Sequence, residues 1–229
     1  MWDAQVAYLS QRVRIVRYDC RGHGASDVPD GPYTIEQLGN DLLALLDALR
    51  IEQANICGLS LGGITALWFA LAYPHRVARA VFANTAARIG TTQSWDARIE
   101  AVKSGGMVAV REMLLARFLS ADFRQQHPEI ARQFGDMIEA TNPSGYISAC
   151  AALREADLRA SVHEIRTPSL ILAGALDEST PPLQSHELHN AISGSQLIVF
   201  NDVAHLSNVE RPQEFSEYVL SFLNGSHPL

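Results

Sequence analysis

Cysteine is scarce. The 229 residues hold three, Cys20, Cys57 and Cys150, and no C-x-x-C pair. That excludes a disulfide framework and a cysteine-ligated zinc site, and it fits a reducing cytoplasm. A basic excess is also missing. Eighteen Lys and Arg stand against 25 Asp and Glu, a formal charge of −7, and no basic patch of the kind that binds nucleic acid is visible. A few local arginines can still receive a small anion. No apolar run approaches the length of a membrane span. The opening MWDAQVAYLSQRVR lacks the basic-then-apolar order of a secretory leader. What is plentiful is apolar surface: 47% of residues are hydrophobic and only 19% charged. Disorder is thereby disfavoured, and a sizeable core is possible, in one domain or in a domain with an inserted lobe.

Strand and helix patterns alternate in the first part of the chain. WDAQVAYLSQR reads as a short helix with Trp2, Val6 and Leu9 on its apolar side. VRIVRYD (13–19) reads as a strand, and the Gly- and Asp-rich 20–32 as a loop. Residues 33–50 have a helical period, opened by a capping box of Thr34 and Gln37. QANICGLS is a second strand, Ile64–Tyr73 a helix closed by Pro74, and 76–86 contains a third strand. From 88 to 163 strand signal fades and amphipathic helical segments follow one another. After Thr167-Pro168 the alternation resumes: a strand over 169–177, the helix LQSHELHNAI, the strand SQLIVFND and a closing helix PQEFSEYVLSFLNG. This order predicts an α/β fold, a mostly parallel sheet with helices on both faces. Residues 1–87 and 164–229 form its core, and 88–163 form a helical cap inserted between the two halves.

At Gly58-Leu-Ser60-Leu-Gly62 an apolar strand meets a helix start. A serine at such a junction sits at the active edge of a parallel sheet, and the tight turn that presents it leaves little room for bulk two residues away. The helix that follows directs free N–H groups at the site, with Leu61 N–H as the oxyanion donor. The competing account is a structural helix N-cap; the strand–turn–helix context favours the nucleophile.

A serine nucleophile needs a base, and the base needs an orienting carboxylate. In G-x-S-x-G enzymes of this topology the order along the chain is Ser, acid, His. His205, in NDVAHLSN, follows a strand by a short loop and is the candidate base. His186 and His189 fall on a helix, His75 and His127 adjoin prolines, His23 suits a structural role in the RGHG loop, and His227 lies in the C-terminal tail. Asp177 ends a strand and is the candidate acid. Glu178 beside it is as well explained as a helix N-cap. Asp202 is the alternative acid, though three residues before the base it is too close to reach the far ring nitrogen.

The segments YDCRGHGASD, GLSLGG, GALDESTPP and AHLSNVE together resemble the α/β-hydrolase superfamily. MWDAQVAYL, FANTAARIG, AALREADLR and AHLSNVERPQEF resemble the 3-oxoadipate enol-lactonases of aromatic catabolism in particular, and that resemblance runs through the cap. It implies hydrolysis of a small anionic lactone through Ser60, Asp177 and His205, with no metal and no organic cofactor. Other capped hydrolases, namely general esterases and C–C bond hydrolases, are the neighbouring readings. A carboxylate-bearing substrate calls for a cation over the serine, and Arg88, Arg98, Lys103 and Arg117 are the candidates. Trp95 and Phe118 are candidates for the pocket wall. The resemblance also implies three strands ahead of this chain's first residues, the third followed by a loop carrying a second oxyanion donor. Their apparent absence from the sequence predicts an incomplete sheet, and with it a truncated, non-catalytic relative as a further reading. The sequence leaves the oligomeric state open.

Overall fold

The computed structural model describes residues 1–225. The helices are α1 (Asp3–Leu9), α2 (Ile35–Ala48), α3 (Leu61–Ala72), α4 (Thr92–Gly105), α5 (Val108–Phe118), α6 (Ala121–Gln126), α7 (Pro128–Ala140), α8 (Pro143–Glu155), α9 (Pro182–Ala191), α10 (Ser207–Glu210) and α11 (Pro212–Leu223). The strands are β1 (Ala54–Leu59), β2 (Val77–Ala83), β3 (Ser169–Gly174) and β4 (Gln196–Phe200). They form one sheet in the order β1-β2-β3-β4, parallel throughout.

Successive side chains of a strand point to opposite faces, and the core divides accordingly. Val81, Ala83, Leu170 and Leu172 share one cluster with Leu9 of α1 and Phe215, Val219 and Phe222 of α11. Ala80, Phe82 and Ile171 share the other with Leu42 and Leu46 of α2, Leu67 and Phe69 of α3, and Leu188 of α9. Every residue of β3 is buried, as expected of a strand covered on both faces. The expected capping box forms: Gln37 N–H donates to the Thr34 hydroxyl, and Thr34 N–H to the Gln37 side chain. Between β2 and β3 lie five helices, α4 to α8, and no strand. They pack chiefly on one another, α4 on α8 and α5, and α7 on α5 and α6. Among the described residues no helix is long and apolar enough to cross a membrane.

Three sequence expectations need correction. Residues 13–19 do not form a strand. Val13 and Ile15 pack against the core while residues 16–19 are exposed, so the in–out alternation of a strand covers only the first few residues. Arg14 to Tyr18 make no backbone–backbone hydrogen bond among the described residues. A strand exists only by pairing, and here a cleft of about 530 Å³, with Ile15, Val16, Ile56 and Cys57 in its walls, separates the segment from β1. The helix expected from Ile64 starts at Leu61, directly after the serine. The strand expected to run to Asp177 ends at Gly174, the last residue paired with β4, where a Cβ would meet the Ala204 and Val203 carbonyl oxygens.

Candidate active site

All four parallel strands end at the same edge of the sheet, and each is followed there by one polar residue of interest. Ser60 follows β1, Asn84 follows β2, Asp177 lies three residues after β3, and His205 five residues after β4. The parallel topology, more than any local preference, brings these distant positions to one edge, and there Asp177 bonds both Asn84 and His205.

Ser60 has φ 55° and ψ −116°, a conformation costly for any residue with a Cβ. It is held there by its N–H donating to Ala83 O of the neighbouring strand and by the helix beginning at the next residue. The close approach is at Gly58, where a Cβ would come 2.1 Å from Gly62 O, and at Gly63, where it would meet the Thr85 side chain. Gly62 faces open space, so crowding does not explain the second glycine of the motif. The Ser60 side chain caps nothing and makes no hydrogen bond among the described residues. The N-cap account of this serine therefore fails. Leu61 is the first residue of α3, where a backbone N–H has no partner within its helix.

Asp177 and His205 are 3% and 2% exposed, and Asp177 Oδ2 lies 2.8 Å from His205 Nδ1. The carboxylate is saturated with donors. Oδ1 accepts from the N–H groups of Ser179 and Thr180, and Oδ2 from the Thr180 hydroxyl at 2.7 Å and from Asn84 Nδ2 at 3.1 Å. Burial pushes the Asp177 pKa up, but the bond and charge of His205 and the two Thr180 donors pull it further down, below its usual 3.8. Asp177 is thus held ionised beside the imidazole. Glu178 is exposed and caps no helix, since the position before α9 is Pro181. Asp202 points away to pair with Arg211 at the surface. Among the other histidines, His189 contacts the Ser195 hydroxyl and His23 the Arg21 carbonyl. His227 lies outside the described residues. No group of three or more His, Cys, Asp or Glu able to hold a metal ion occurs among the described residues.

Phe118 stacks on the His205 ring, centroids 5.7 Å apart at 22°, so a residue between β2 and β3 reaches the candidate base. Trp95 is buried, its Nε1–H donating to Ile89 O. Of the four cations, Arg88 is paired with Asp157, and Lys103 is exposed. Arg98 and Arg117 are half-buried and without an ion pair among the described residues. The Arg98 guanidinium lies 4.7 Å from the Trp95 ring centroid and donates to Met113 Sδ. Tyr146 and Cys150, whose thiol burial pushes up to about 11, also feel its charge. Tyr146, Trp95 and Leu61 belong to one apolar cluster, which links the Arg98 surroundings to the start of α3.

Sequence reasoning did not single out Asn84, Thr180 or Glu210. Asn84 has φ 43°, a region Asn tolerates, and is fully buried, bonded to Asp177, Ala204 O and the Ser207 hydroxyl. Its one sequence signal was its place at a strand end, the same signal that marked Ser60 and Asp177.

The profile of the alpha/beta hydrolase fold family matches residues 1–212. The chain is 41% identical to 3-oxoadipate enol-lactonase 2 of Acinetobacter baylyi, over 96% of this chain and 82% of that protein. It is 39% identical to 3-oxoadipate enol-lactonase 1 of the same organism, over 98% and 84%. The crystal structure of the enol-lactonase from Burkholderia xenovorans LB400 superposes with a TM-score of 0.95 at 41% identity, covering 97% of this chain and 85% of that one. Similar to these proteins over nearly all of its length, the chain belongs to the alpha/beta hydrolase fold family and is most informatively compared with its enol-lactonases.

Proposed function

We propose that the chain hydrolyses 3-oxoadipate enol-lactone to 3-oxoadipate through an acyl-enzyme on Ser60. The observation that carries this reading is the buried Asp177–His205 pair at the strand edge where Ser60 sits in a strained turn. The relatedness to three enol-lactonases selects the substrate.

In this mechanism the Ser60 hydroxyl turns to His205 Nε2 and attacks the lactone carbonyl while the imidazole takes its proton. Asp177 keeps the other ring nitrogen protonated and stabilises the imidazolium. Leu61 N–H receives the oxyanion. As the tetrahedral intermediate collapses, the ring C–O bond breaks, the imidazolium gives its proton to the leaving enol oxygen, and the enol, tethered to the acyl group, relaxes to the ketone. His205 then deprotonates a water that attacks the ester, and the proton returns to Ser60. No step needs a metal or an organic cofactor. Residues 88–163 act as a cap over the strand edge, with Phe118 a wall beside His205. The substrate carboxylate goes to Arg98, because Trp95 and Met113 hold its guanidinium in place and a fixed guanidinium pairs with a carboxylate at lower entropic cost.

The test is a panel of enol-lactone, p-nitrophenyl esters and a dienoic ring-cleavage ketone, read on wild type, Ser60→Ala, Arg98→Ala and Arg117→Ala. Ser60→Ala is expected to fold and to lose turnover by about 10⁴-fold or more. Arg98→Ala should lose about 30- to 150-fold on the lactone and little on a neutral ester, with Arg117→Ala near wild type. A wild type that turns over only esters or only the ketone would move the protein to one of the neighbouring hydrolase readings. Equal losses on lactone and ester for Arg98→Ala would remove the carboxylate role.

A further inference from the structure

Glu210 is a carboxylate with 4% exposure and no ion pair among the described residues. All its partners are hydrogen-bond donors, and they come from two directions. Oε1 accepts from Ala204 N–H at 2.9 Å and from Ser120 N–H at 3.2 Å, and Oε2 accepts from the Ser120 hydroxyl. Ala204 immediately precedes His205. Ser120 caps α6, receiving Phe123 N–H, and follows the end of α5 by two residues. One side chain therefore staples the loop of the candidate base to the junction of two helices from the segment between β2 and β3. Two further contacts run in parallel: Leu206 N–H donates to Phe118 O at 2.9 Å, and the Phe118 ring stacks on the imidazole. On its other side the Ala204 peptide is held through its carbonyl by Asn84 Nδ2.

An isolated carboxylate in such a place is expensive unless its acceptor sites are filled. Three filled sites with no cation mean that its use is to collect N–H and O–H groups that would otherwise be orphaned, two of them backbone amides. We propose that Glu210 is a positioning residue for His205. By tying Ala204 N–H to Ser120, it makes the placement of the imidazole depend on the seating of α5 and α6. The proposal rests on the reading of Ser60 and His205 given above.

The experiment compares wild type, Glu210→Ala, Glu210→Gln and Ser120→Ala in the full chain. It measures the second-order rate of fluorophosphonate labelling of Ser60, normalised to the final labelled fraction, and amide hydrogen exchange at Ala204–Leu206. Glutamine keeps an acceptor for both amides and donates to the Ser120 oxygen, so it should label within about five-fold of wild type. Alanine should label about 100-fold more slowly per reactive molecule, in line with the loss of an orienting partner, with kcat falling and KM little changed. Ser120→Ala, the milder variant should alanine at 210 fail to fold, should lie between them. Exchange at Ala204 should quicken in Glu210→Ala and stay slow in Glu210→Gln. Wild-type labelling rates in Glu210→Ala, or a Glu210→Gln as impaired as the alanine variant, would overturn the tether. An unlabelled wild type would overturn the serine reading instead, and the exchange at Ala204 would still decide the tether.

Discussion

Each of the four residues at the strand ends is where it is because a neighbour constrains it. Ser60 tolerates its positive φ because β1 and α3 leave the chain no other path. Asn84 accepts its own because its side chain bonds on both ends. Thr180 is the clearest single lever on the acid. Its hydroxyl donates to Asp177 Oδ2 from a fully buried site. Because the folded pKa of Asp177 lies below the usual 3.8, its ionised form adds stability that is present above pH 3.8 and disappears as the pH falls through the folded value. Thr180→Val removes one donor to the charged form and leaves the backbone N–H. It should cost about 1.5–3 kcal/mol at pH 7, and the cost should shrink only as the pH falls through the folded pKa, below 3.8. Urea unfolding at pH 7 and through a series of pH values descending well below 3.8 reads this directly. An equal cost across the series would mean that the hydroxyl does not act on the carboxylate's charge.

The element that carries most of the chemistry is the β1–turn–α3 unit. Its closest contact between backbones is Gly58 against Gly62 O. A methyl group at Gly58 has no flexible side chain to displace, so Gly58→Ala should force strand and helix apart at a cost of about 1–3 kcal/mol or more. Gly62 has open space where its Cβ would go, and alanine is the better helix former by about 1 kcal/mol. Gly62→Ala should therefore melt at or above the wild-type temperature. Thermal melts of the two variants side by side test the contrast. A Gly62→Ala variant as unstable as Gly58→Ala would show that the motif's two glycines answer the same demand, as the spacing alone implies.

Across the whole molecule, order of attachment sets order of stability. β2 and β3 are paired on both edges and buried on both faces, whereas β1 is bonded only to β2, and residues 14–18 to no backbone partner among the described residues. Native hydrogen exchange should find the slowest amides in Val81–Ala83 and Leu170–Ala173 and nearly unprotected ones at 14–18. Protection at 14–18 equal to that of β2 would mean that this segment has a pairing partner in solution.

Much of this was written in local pattern. Apolar runs bounded by Gly and Pro placed β1 to β4, a capping box placed α2, and strand-end positions picked out Ser60, Asp177 and His205, because strand, cap and turn preferences act within a few residues. Tertiary structure alone decided the rest. VRIVRYD has the β-branched and aromatic content of a strand, but pairing depends on a neighbour that lies across a cleft. Asp177 rather than Asp202 meets His205, because β3 and β4 lie side by side while Arg211 draws Asp202 to the surface. Asn84 and Glu210 gave no chemical signal of their own. Their partners are 93, 120 and 123 residues away for Asn84, and 90 for Glu210's contact with Ser120. A polar side chain's role is fixed by which donors the fold brings to it once water has been excluded, and no local preference in the chain encodes that.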